Sequence, residues 1–118
     1  MIHVVDDDPA IRRALGRLLR SVGYVVKDFP SAEEYLAHAP PGDASCVLLD
    51  VALPGIDGPG LHARLRARGE ETPVVYVTAH DEEATRARLG RLAPAGIFPK
   101  PVDVPALLAL LGRVAPTR

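Results

Sequence analysis

The sequence predicts an α/β fold in which a doubly wound, five-stranded parallel sheet carries helices on both faces. Short apolar runs alternate five times with segments of helical periodicity, and this alternation is typical of parallel strands joined by crossover helices. Two of the runs, at 46–49 and 73–77, are continuously apolar, which indicates strands buried on both faces. The 118 residues leave room for one such domain.

The first strand and helix are defined by their boundaries. The apolar strand Ile2–Val5 stops at Asp6, and Asp8 then supplies a helix cap with Pro9 at the first helical position. Gly23 provides the C-terminal stop. Between these boundaries, apolar residues recur at helical spacing, namely Ile11, Leu15, Leu18, Leu19 and Val22.

The second strand is predicted at 24–29 and the third at 46–49. The short helix between them begins with a capping box of Ser31 and Glu34 and reaches about Ala39. Turn-forming residues follow the third strand.

The third helix is marked by Leu61 and Leu65 and stops at Gly69. It leads into the fourth strand at 73–77, which Thr78 closes. The spacing next predicts a fourth helix over 84–92, with Asp81 as its cap.

The fifth strand is short, at 97–98, and the adjacent Pro99 places it at an edge of the sheet because proline cannot donate to a strand ladder. Asp103 caps the last helix. The apolar residues of that helix are Leu107, Leu108, Leu111 and Val114.

Polar side chains collect where these strands end. They are Asp6, Asp7, Asp50, Thr78 and Lys100. Open parallel sheets bind ligands outside the carboxyl ends of their strands, so we expect these groups to share one crevice. Crowded carboxylates take up protons or bind a cation, and oxygen ligands beside an open crevice suit Mg²⁺. A carboxylate can also attack phosphorus, and an ammonium and a hydroxyl can then bind the phosphoryl oxygens.

Each of these residues has an ordinary structural interpretation when it is taken alone. The acids at 6–8 favour the start of a helix through its dipole, and Asp50 suits a turn. Thr78 is a capping or turn hydroxyl, and Lys100 is an ion-pair partner. None of these interpretations predicts that the residues fall at successive strand ends.

Composition excludes several classes of protein. The formal net charge is -1 and aromatic residues make up 4%, with no Trp, which disfavours a basic nucleic-acid face and a base-stacking platform. Cys46 is the only cysteine, so an intramolecular disulfide and a Cys-rich zinc site are excluded. The four histidines lack ligand spacing and are read as surface or strand residues. With no signal peptide and no run of about 20 apolar residues, we expect a cytoplasmic chain without a membrane partner.

Four motifs together resemble one family. They are V-V-D-D-D at 4–8, L-L-D-V-A-L-P-G-I-D-G at 48–58, V-T-A at 77–79 and K-P at 100–101. In this order and spacing, the chain resembles the receiver domain of bacterial two-component response regulators over its whole length, and most nearly the nitrogen-fixation type. The resemblance implies one receiver domain over 1–118, a flavodoxin-like strand order 2-1-3-4-5, and a signalling module rather than an enzyme.

The resemblance also implies roles for the acids. Asp50 would be the phosphoacceptor for a phosphohistidine on a sensor histidine kinase. The protein ligands of Mg²⁺ would be Asp7, Asp50 and the backbone carbonyl of Ala52, with Asp6 acting through water. The self-phosphorylation and slow loss of the phosphoryl group would be the only chemistry.

The remaining roles concern the switch. Lys100 would pair with the phosphoryl group, and the Lys100–Pro101 bond would be cis. Thr78 would move toward the phosphoryl group and change the surface of the fourth helix, fifth strand and fifth helix. That surface would serve a partner or a second copy of the chain, although packing on the sheet explains its leucines equally well. A DNA-binding output domain would lie outside this sequence.

The sequence departs from the family pattern at the switch. Ile97 stands where the family usually has Tyr or Phe, and Phe98 should point to the opposite face of the strand. Ala52 and His80 match positions at which, by the resemblance, side chains of the family tune loss of the phosphoryl group. The step before the fifth strand also differs, since Pro94 lies in the stretch 90–96.

Three other functions compete with this interpretation. A haloacid-dehalogenase-type phosphatase needs a second acid two residues after its nucleophile, where this chain has Ala52. A receiver-like binding module that works without phosphorylation is kept open by Ile97. A flavin carrier needs a phosphate-binding loop after the first strand, and this chain has no such loop there.

Overall fold

The protein is described by a computed structural model over residues 1–79 and 83–116, and in these residues five strands alternate with five helices. In chain order the elements are β1 (Ile2–Val5), α1 (Pro9–Ser21), β2 (Val26–Phe29), α2 (Ala32–His38), β3 (Cys46–Asp50), α3 (Gly58–Ala67), β4 (Val74–Thr78), α4 (Glu83–Gly90), β5 (Gly96–Pro99) and α5 (Val104–Val114). None of these helices, over the described residues, has the length and apolar composition that crossing a membrane requires.

The sheet is parallel throughout, with the strand order β2-β1-β3-β4-β5. This confirms both the predicted α/β class and the flavodoxin-like order that the resemblance implied. β5 lies at the edge, as Pro99 indicated. The carboxyl ends stay level across the sheet, because Val5 is in register with Leu49 and Asp50 with Val77. Residues that follow these strands therefore meet along one edge.

Helices cover both faces of the sheet, so neighbouring strand residues enter different cores. Leu49 points to the α2–α3 side, where it packs in one cluster with Leu61. Leu48 points to the α1–α5 side and packs in a second cluster with Leu19 and Leu107. This alternation follows from the two-residue period of a strand, and the two clusters fix the sheet between its helical layers.

The apolar residues of β5 and α5 contribute to these cores. Ile97 packs against the α2–α3 cluster and Phe98 against the α1–α5 cluster, which confirms that they point to opposite faces. Leu107 and Leu111 are fully buried against the sheet, and Leu108 is partly buried there. Packing on the sheet therefore accounts for the buried leucines of α5.

β2 begins at Val26, so the predicted start at residue 24 is wrong. Gly23 adopts a left-handed φ of 101°, and the Tyr24 N–H donates to the Leu19 carbonyl oxygen at 3.0 Å. Tyr24 is thus bonded to the end of α1, and its N–H is not free for a strand ladder.

α4 spans Glu83–Gly90, so the predicted end at residue 92 is also wrong. The N–H groups of Leu92 and Ala93 bond three residues back, to Leu89 and Gly90, at 3.0 and 3.1 Å. Ala93 then has a left-handed φ of 51°, which a continuing helix cannot accommodate. The predicted cap, Asp81, lies outside the described residues.

Candidate functional site

Three carboxylates come together at the carboxyl end of the sheet. Asp6 and Asp7 follow β1, and Asp50 is the last residue of the adjacent strand β3. One carboxylate oxygen from each lies within 4.8 Å of the others. Asp6 and Asp50 are buried, at 2% and 6% exposure, whereas Asp7 is open to solvent. The prediction that these acids share one crevice is therefore confirmed.

The turn after β1 is fixed by its own hydrogen bonds. The Asp6 N–H donates to the Phe29 carbonyl oxygen at 3.2 Å, and Asp6 Oδ1 accepts the Asp8 N–H at 2.9 Å. Asp8 caps α1 as predicted, because its Oδ1 accepts the Ala10 N–H at 2.8 Å. From inside α1, Arg12 Nη1 donates to the Asp6 carbonyl oxygen at 2.7 Å.

Lys100 brings a positive charge to the two buried acids. Its Nζ lies 3.2 Å from Asp6 Oδ2 and 3.7 Å from Asp50 Oδ1, and the side chain is 21% exposed. The Lys100 N–H donates to the Thr78 carbonyl oxygen at 2.8 Å, which ties this residue to the end of β4. The Lys100–Pro101 peptide is cis, as the resemblance implied.

Burial and the neighbouring charges of the cluster perturb the pKa of Asp50. Burial raises the pKa of its carboxyl above the ordinary value, and the negative charges of Asp6 and Asp7 raise it further, whereas Lys100 and the Ala52 N–H lower it. Repulsion of this kind is relieved by a cation. All the converging donors are carboxylate oxygens, the ligand type that a hard divalent ion such as Mg²⁺ takes, so the residues fit this ion.

The loop between β3 and α3 lines a cavity together with Asp7. Its end is closed by the Gly58 N–H, which donates to the Val51 carbonyl oxygen at 2.9 Å. A Cβ at Gly58 would run into the Asp50 carbonyl oxygen and come within 3.0 Å of the Val51 Cα. Only glycine therefore lets the chain fold back this closely, and Ala52 lies between these contacts.

Two neighbouring helices hold the same loop. Glu33, in the first turn of α2, accepts the Ile56 N–H on Oε2 at 3.0 Å. Asp57 caps α3 by accepting the Gly60 N–H at 2.8 Å, and its other oxygen accepts Arg88 Nη2 of α4 at 2.9 Å. Neither Glu33 nor Arg88 is predictable from the sequence pattern, because each acts only through a contact between distant segments.

The remaining predicted site residues are placed as follows. Thr78 is fully buried at the end of β4, next to the strand that carries Asp50. Ile97 is partly buried in β5 and has no aromatic ring to rotate. His80 lies outside the described residues.

Two of the histidines, His3 and His62, lie in the core, whereas His38 is exposed. His3 in β1 lies 2.9 Å from the Tyr35 hydroxyl and His62 in α3 lies 2.7 Å from the Tyr76 hydroxyl, and both are fully buried. The prediction of a surface or strand residue is therefore wrong for His62, which is buried in α3. Among the described residues the three aspartates are the group that could hold a metal ion.

The model of the family described as "Response regulator receiver domain" matches residues 2–112. The chain belongs to this family. As a receiver domain it is a signalling module, and its acidic pocket is consistent with phosphoacceptor signalling.

Related receiver domains occur in transcriptional regulators. The domain is 37% identical over 118 residues to the transcriptional regulatory protein FixJ of Azorhizobium caulinodans, covering 97% of this chain and 56% of that protein. It is 38% identical over 112 residues to the tetrathionate response regulatory protein TtrR of Salmonella typhimurium, covering 95% of this chain and 54% of that protein. The likeness to FixJ confirms the nitrogen-fixation type indicated by the motifs, and the chain spans about half the length of these relatives.

Solved structures agree with the fold. The response regulator StyR superposes with a TM-score of 0.88 at 34% identity, covering 96% of this chain and 57% of that one. The Vibrio cholerae chemotaxis protein CheY4 gives a TM-score of 0.86 at 25% identity, covering 96% of both chains. The BeF3-activated DrrB receiver domain gives a TM-score of 0.85 at 27% identity, covering 96% of this chain and 94% of that one.

Proposed function

We propose that residues 1–118 form one phosphoacceptor receiver domain, in which Asp50 accepts a phosphoryl group from a phosphohistidine of a sensor histidine kinase in a Mg²⁺-dependent reaction. The observation that carries the proposal is the meeting of Asp6, Asp7 and Asp50 within 4.8 Å, with the Lys100 ammonium between the two buried acids. This arrangement combines a nucleophile, a place for a divalent cation and a fixed positive charge, which are the parts that phosphoryl transfer needs.

The transfer itself is a displacement at phosphorus. An Asp50 carboxylate oxygen attacks, the P–N bond of the donor breaks, and its electron pair passes to the imidazole, which takes a proton from solvent. The Lys100 Nζ lies 3.7 Å from Asp50 Oδ1, close enough for its ammonium to pair with the new phosphoryl oxygens. The Thr78 hydroxyl, at the end of the neighbouring strand, would bind one of them.

The cation would be held by the carboxylates of Asp7 and Asp50 and by the backbone carbonyl of Ala52, with Asp6 acting through water. When bound, Mg²⁺ neutralises charge on the phosphoryl oxygens and on the carboxylates. Lys100 and the Ala52 N–H offset part of the rise in the Asp50 pKa that burial and the neighbouring acids cause, which favours the ionised nucleophile.

A protein phosphodonor needs a surface beside the reacting carboxylate. A groove of about 400 Å³ runs next to Lys100, between α1 and the segment after β5. Its walls include the apolar side chains of Ile11, Leu15, Pro101 and Val104. Such a groove would bury an apolar side chain of the donor and align the donor histidine with the sheet edge.

The proposed response is a change in the surface formed by α4, β5 and α5, which would serve a second copy of the chain or a DNA-binding output domain. Ile97 cannot rotate as an aromatic ring would. α4 is instead tied to the loop after Asp50 through the Arg88–Asp57 ion pair, and among the described residues Leu89 is its buried anchor. A displacement of that loop would therefore act directly on α4.

A second candidate is a binding module that works without phosphorylation, and Ile97 is the observation that favours it. One experiment separates the two functions. The protein is incubated with Mg²⁺ and acetyl phosphate, and its intact mass is measured. We expect a phosphoryl mass gain that needs Mg²⁺ and is absent in Asp50→Asn.

The matched control is Asp103→Asn, which also removes one carboxylate but keeps an oxygen to cap α5 through the Ala106 N–H. It should gain mass like the wild type. An equal gain in Asp50→Asn would contradict the role of Asp50. The absence of any gain, together with an unchanged Thr78 amide signal on adding beryllium fluoride, would favour the binding module.

A further inference from the structure

Arg12 lies beside the acidic cluster, and the proposed phosphoryl transfer does not use it. It sits one turn into α1, where its N–H donates to the carbonyl oxygen of the cap residue Asp8 at 3.1 Å. Its guanidinium reaches back so that Nη1 donates to the Asp6 carbonyl oxygen at 2.7 Å, while Nε lies 3.4 Å from Asp28 Oδ2 of β2. The side chain is 18% exposed, and the bond to Asp6 is short and charge-assisted.

The bond matters because of the peptide on which it acts. The carbonyl group of Asp6 lies in one peptide plane with the N–H and the Cα of Asp7. A hydrogen bond that fixes the Asp6 oxygen therefore also fixes the N–Cα bond of Asp7, from which its side chain starts. The Asp7 carboxylate is exposed, and no hydrogen bond or ion pair to a described residue holds it. Its place within 4.8 Å of Asp50 therefore depends on the backbone of the turn.

We propose that Arg12 is a positioning residue of the metal site. It holds the Asp6–Asp7 peptide so that the Asp7 carboxylate faces Asp50, and Asp28 orients its guanidinium. The inference rests on the proposed function, because the ion concerned is the Mg²⁺ of phosphoryl transfer.

The charge of Arg12 and its hydrogen bond have opposite effects on a divalent cation. A guanidinium next to the cluster repels the cation, so charge alone predicts tighter binding when Arg12 is neutralised. Positioning predicts weaker binding when the hydrogen bond is lost. Two neutral variants separate these effects, since Arg12→Gln keeps an N–H donor and Arg12→Met keeps only the apolar stem.

The measurement is the affinity for Mn²⁺, monitored by water-proton relaxation. Mg²⁺ is then added as a competitor. We expect Arg12→Met to bind Mn²⁺ more weakly than Arg12→Gln by on the order of tenfold, as is typical for residues that orient metal ligands. Arg13→Met removes the same charge from an exposed neighbour in α1 and should bind like the wild type. The deficit of Arg12→Met in phosphoryl mass gain should disappear at saturating Mg²⁺.

Equal Mn²⁺ affinity in Arg12→Gln and Arg12→Met would overturn the inference, as would tighter Mn²⁺ binding by Arg12→Met than by Arg12→Gln. If Arg12→Met does not fold, Arg12→Ala takes its place in the same comparison, because alanine has the highest helix propensity. The proposed function fails separately, namely if the wild-type protein shows neither Mn²⁺ binding nor mass gain.

Discussion

Replacement of Asp50 by Asn should stabilise the metal-free protein at neutral pH. Asp50 is 6% exposed, and burial together with the charge of Asp6 raises its pKa. A raised pKa means that the folded protein favours the neutral form of this carboxyl. Asparagine has nearly the same shape without the charge, so it removes the cost of holding an anion there.

The size of the effect follows from the distances. At an effective dielectric constant of about 20, charges at most 4.8 Å apart, as on Asp6 and Asp50, repel by at least about 3.5 kcal/mol. The Lys100 ammonium, 3.7 Å from Asp50, attracts it by about 4.5 kcal/mol on the same scale. These terms nearly cancel, so desolvation and the screened charge of Asp7 decide the sign. We expect a net gain on the order of 1 kcal/mol, or roughly 3–6 °C in Tm.

The pH dependence provides the test. Because the pKa is higher in the folded state than in the unfolded state, wild-type stability from this group is present at low pH and is lost as the pH rises through the folded pKa. The advantage of Asp50→Asn should therefore grow as the pH rises and be absent once the unfolded carboxyl is protonated too, below about pH 3.9. Added Mg²⁺ should stabilise the wild type more than the variant.

The assay is urea unfolding followed by circular dichroism, in EDTA and in Mg²⁺, across this pH range. Asp8→Asn is the control, because it removes an exposed charge at the same end of the sheet and keeps the cap of α1. An Asn variant that is no more stable than the wild type at neutral pH would refute the reasoning. So would a gain of equal size at all pH values.

Three further perturbations test the fold around the site. Gly58→Ala should destabilise the protein by about 1–3 kcal/mol, since its Cβ would meet the Asp50 carbonyl. Gly112→Ala should be neutral or stabilising in urea unfolding, because among the described residues an added Cβ there would meet no atom within 4 Å beyond its chain neighbours and its own helix backbone. Tyr76→Phe should cost about 1–3 kcal/mol, because His62 Nδ1 loses a partner at 2.7 Å; an unchanged Tm would contradict this. Burial lowers the pKa of His62 to about 4, so stability should fall as the pH drops below the ordinary histidine value, and His62→Leu should lose less over that range.

Most of the fold could be predicted because the deciding signals are local. The continuous apolar runs of β3 and β4 were sufficient to indicate buried parallel strands, and the end of each parallel strand then gave the place of Asp6, Asp50 and Lys100. The errors lie where backbone hydrogen bonds compete. Tyr24 has strand character in the sequence but is bonded to α1, and α4 ends early at the left-handed Ala93.

The contacts that hold the site in place could not be predicted in the same way. Arg12, Glu33 and Arg88 lie on helices, where a charged residue taken alone predicts only a solvated face. Their partners are fixed by the way separate elements pack, since Glu33 and Ile56 are 23 residues apart and Arg88 and Asp57 are 31 apart. Hydrophobic periodicity is a local signal, so it does not predict contacts between residues this far apart in the sequence.

The carboxylates of the site repel each other when no cation is bound. Contacts from several elements are therefore needed to keep them in place. Lys100 partly neutralises Asp6 and Asp50, but it cannot reduce their desolvation, which is the largest cause of the raised Asp50 pKa. Without restraint, such carboxylates would move apart and into water. The bond from Arg12 to the Asp6 carbonyl and the bond from Glu33 to the Ile56 N–H act on backbone and not on the carboxylates. They keep the acids close together and leave their oxygens available to a cation.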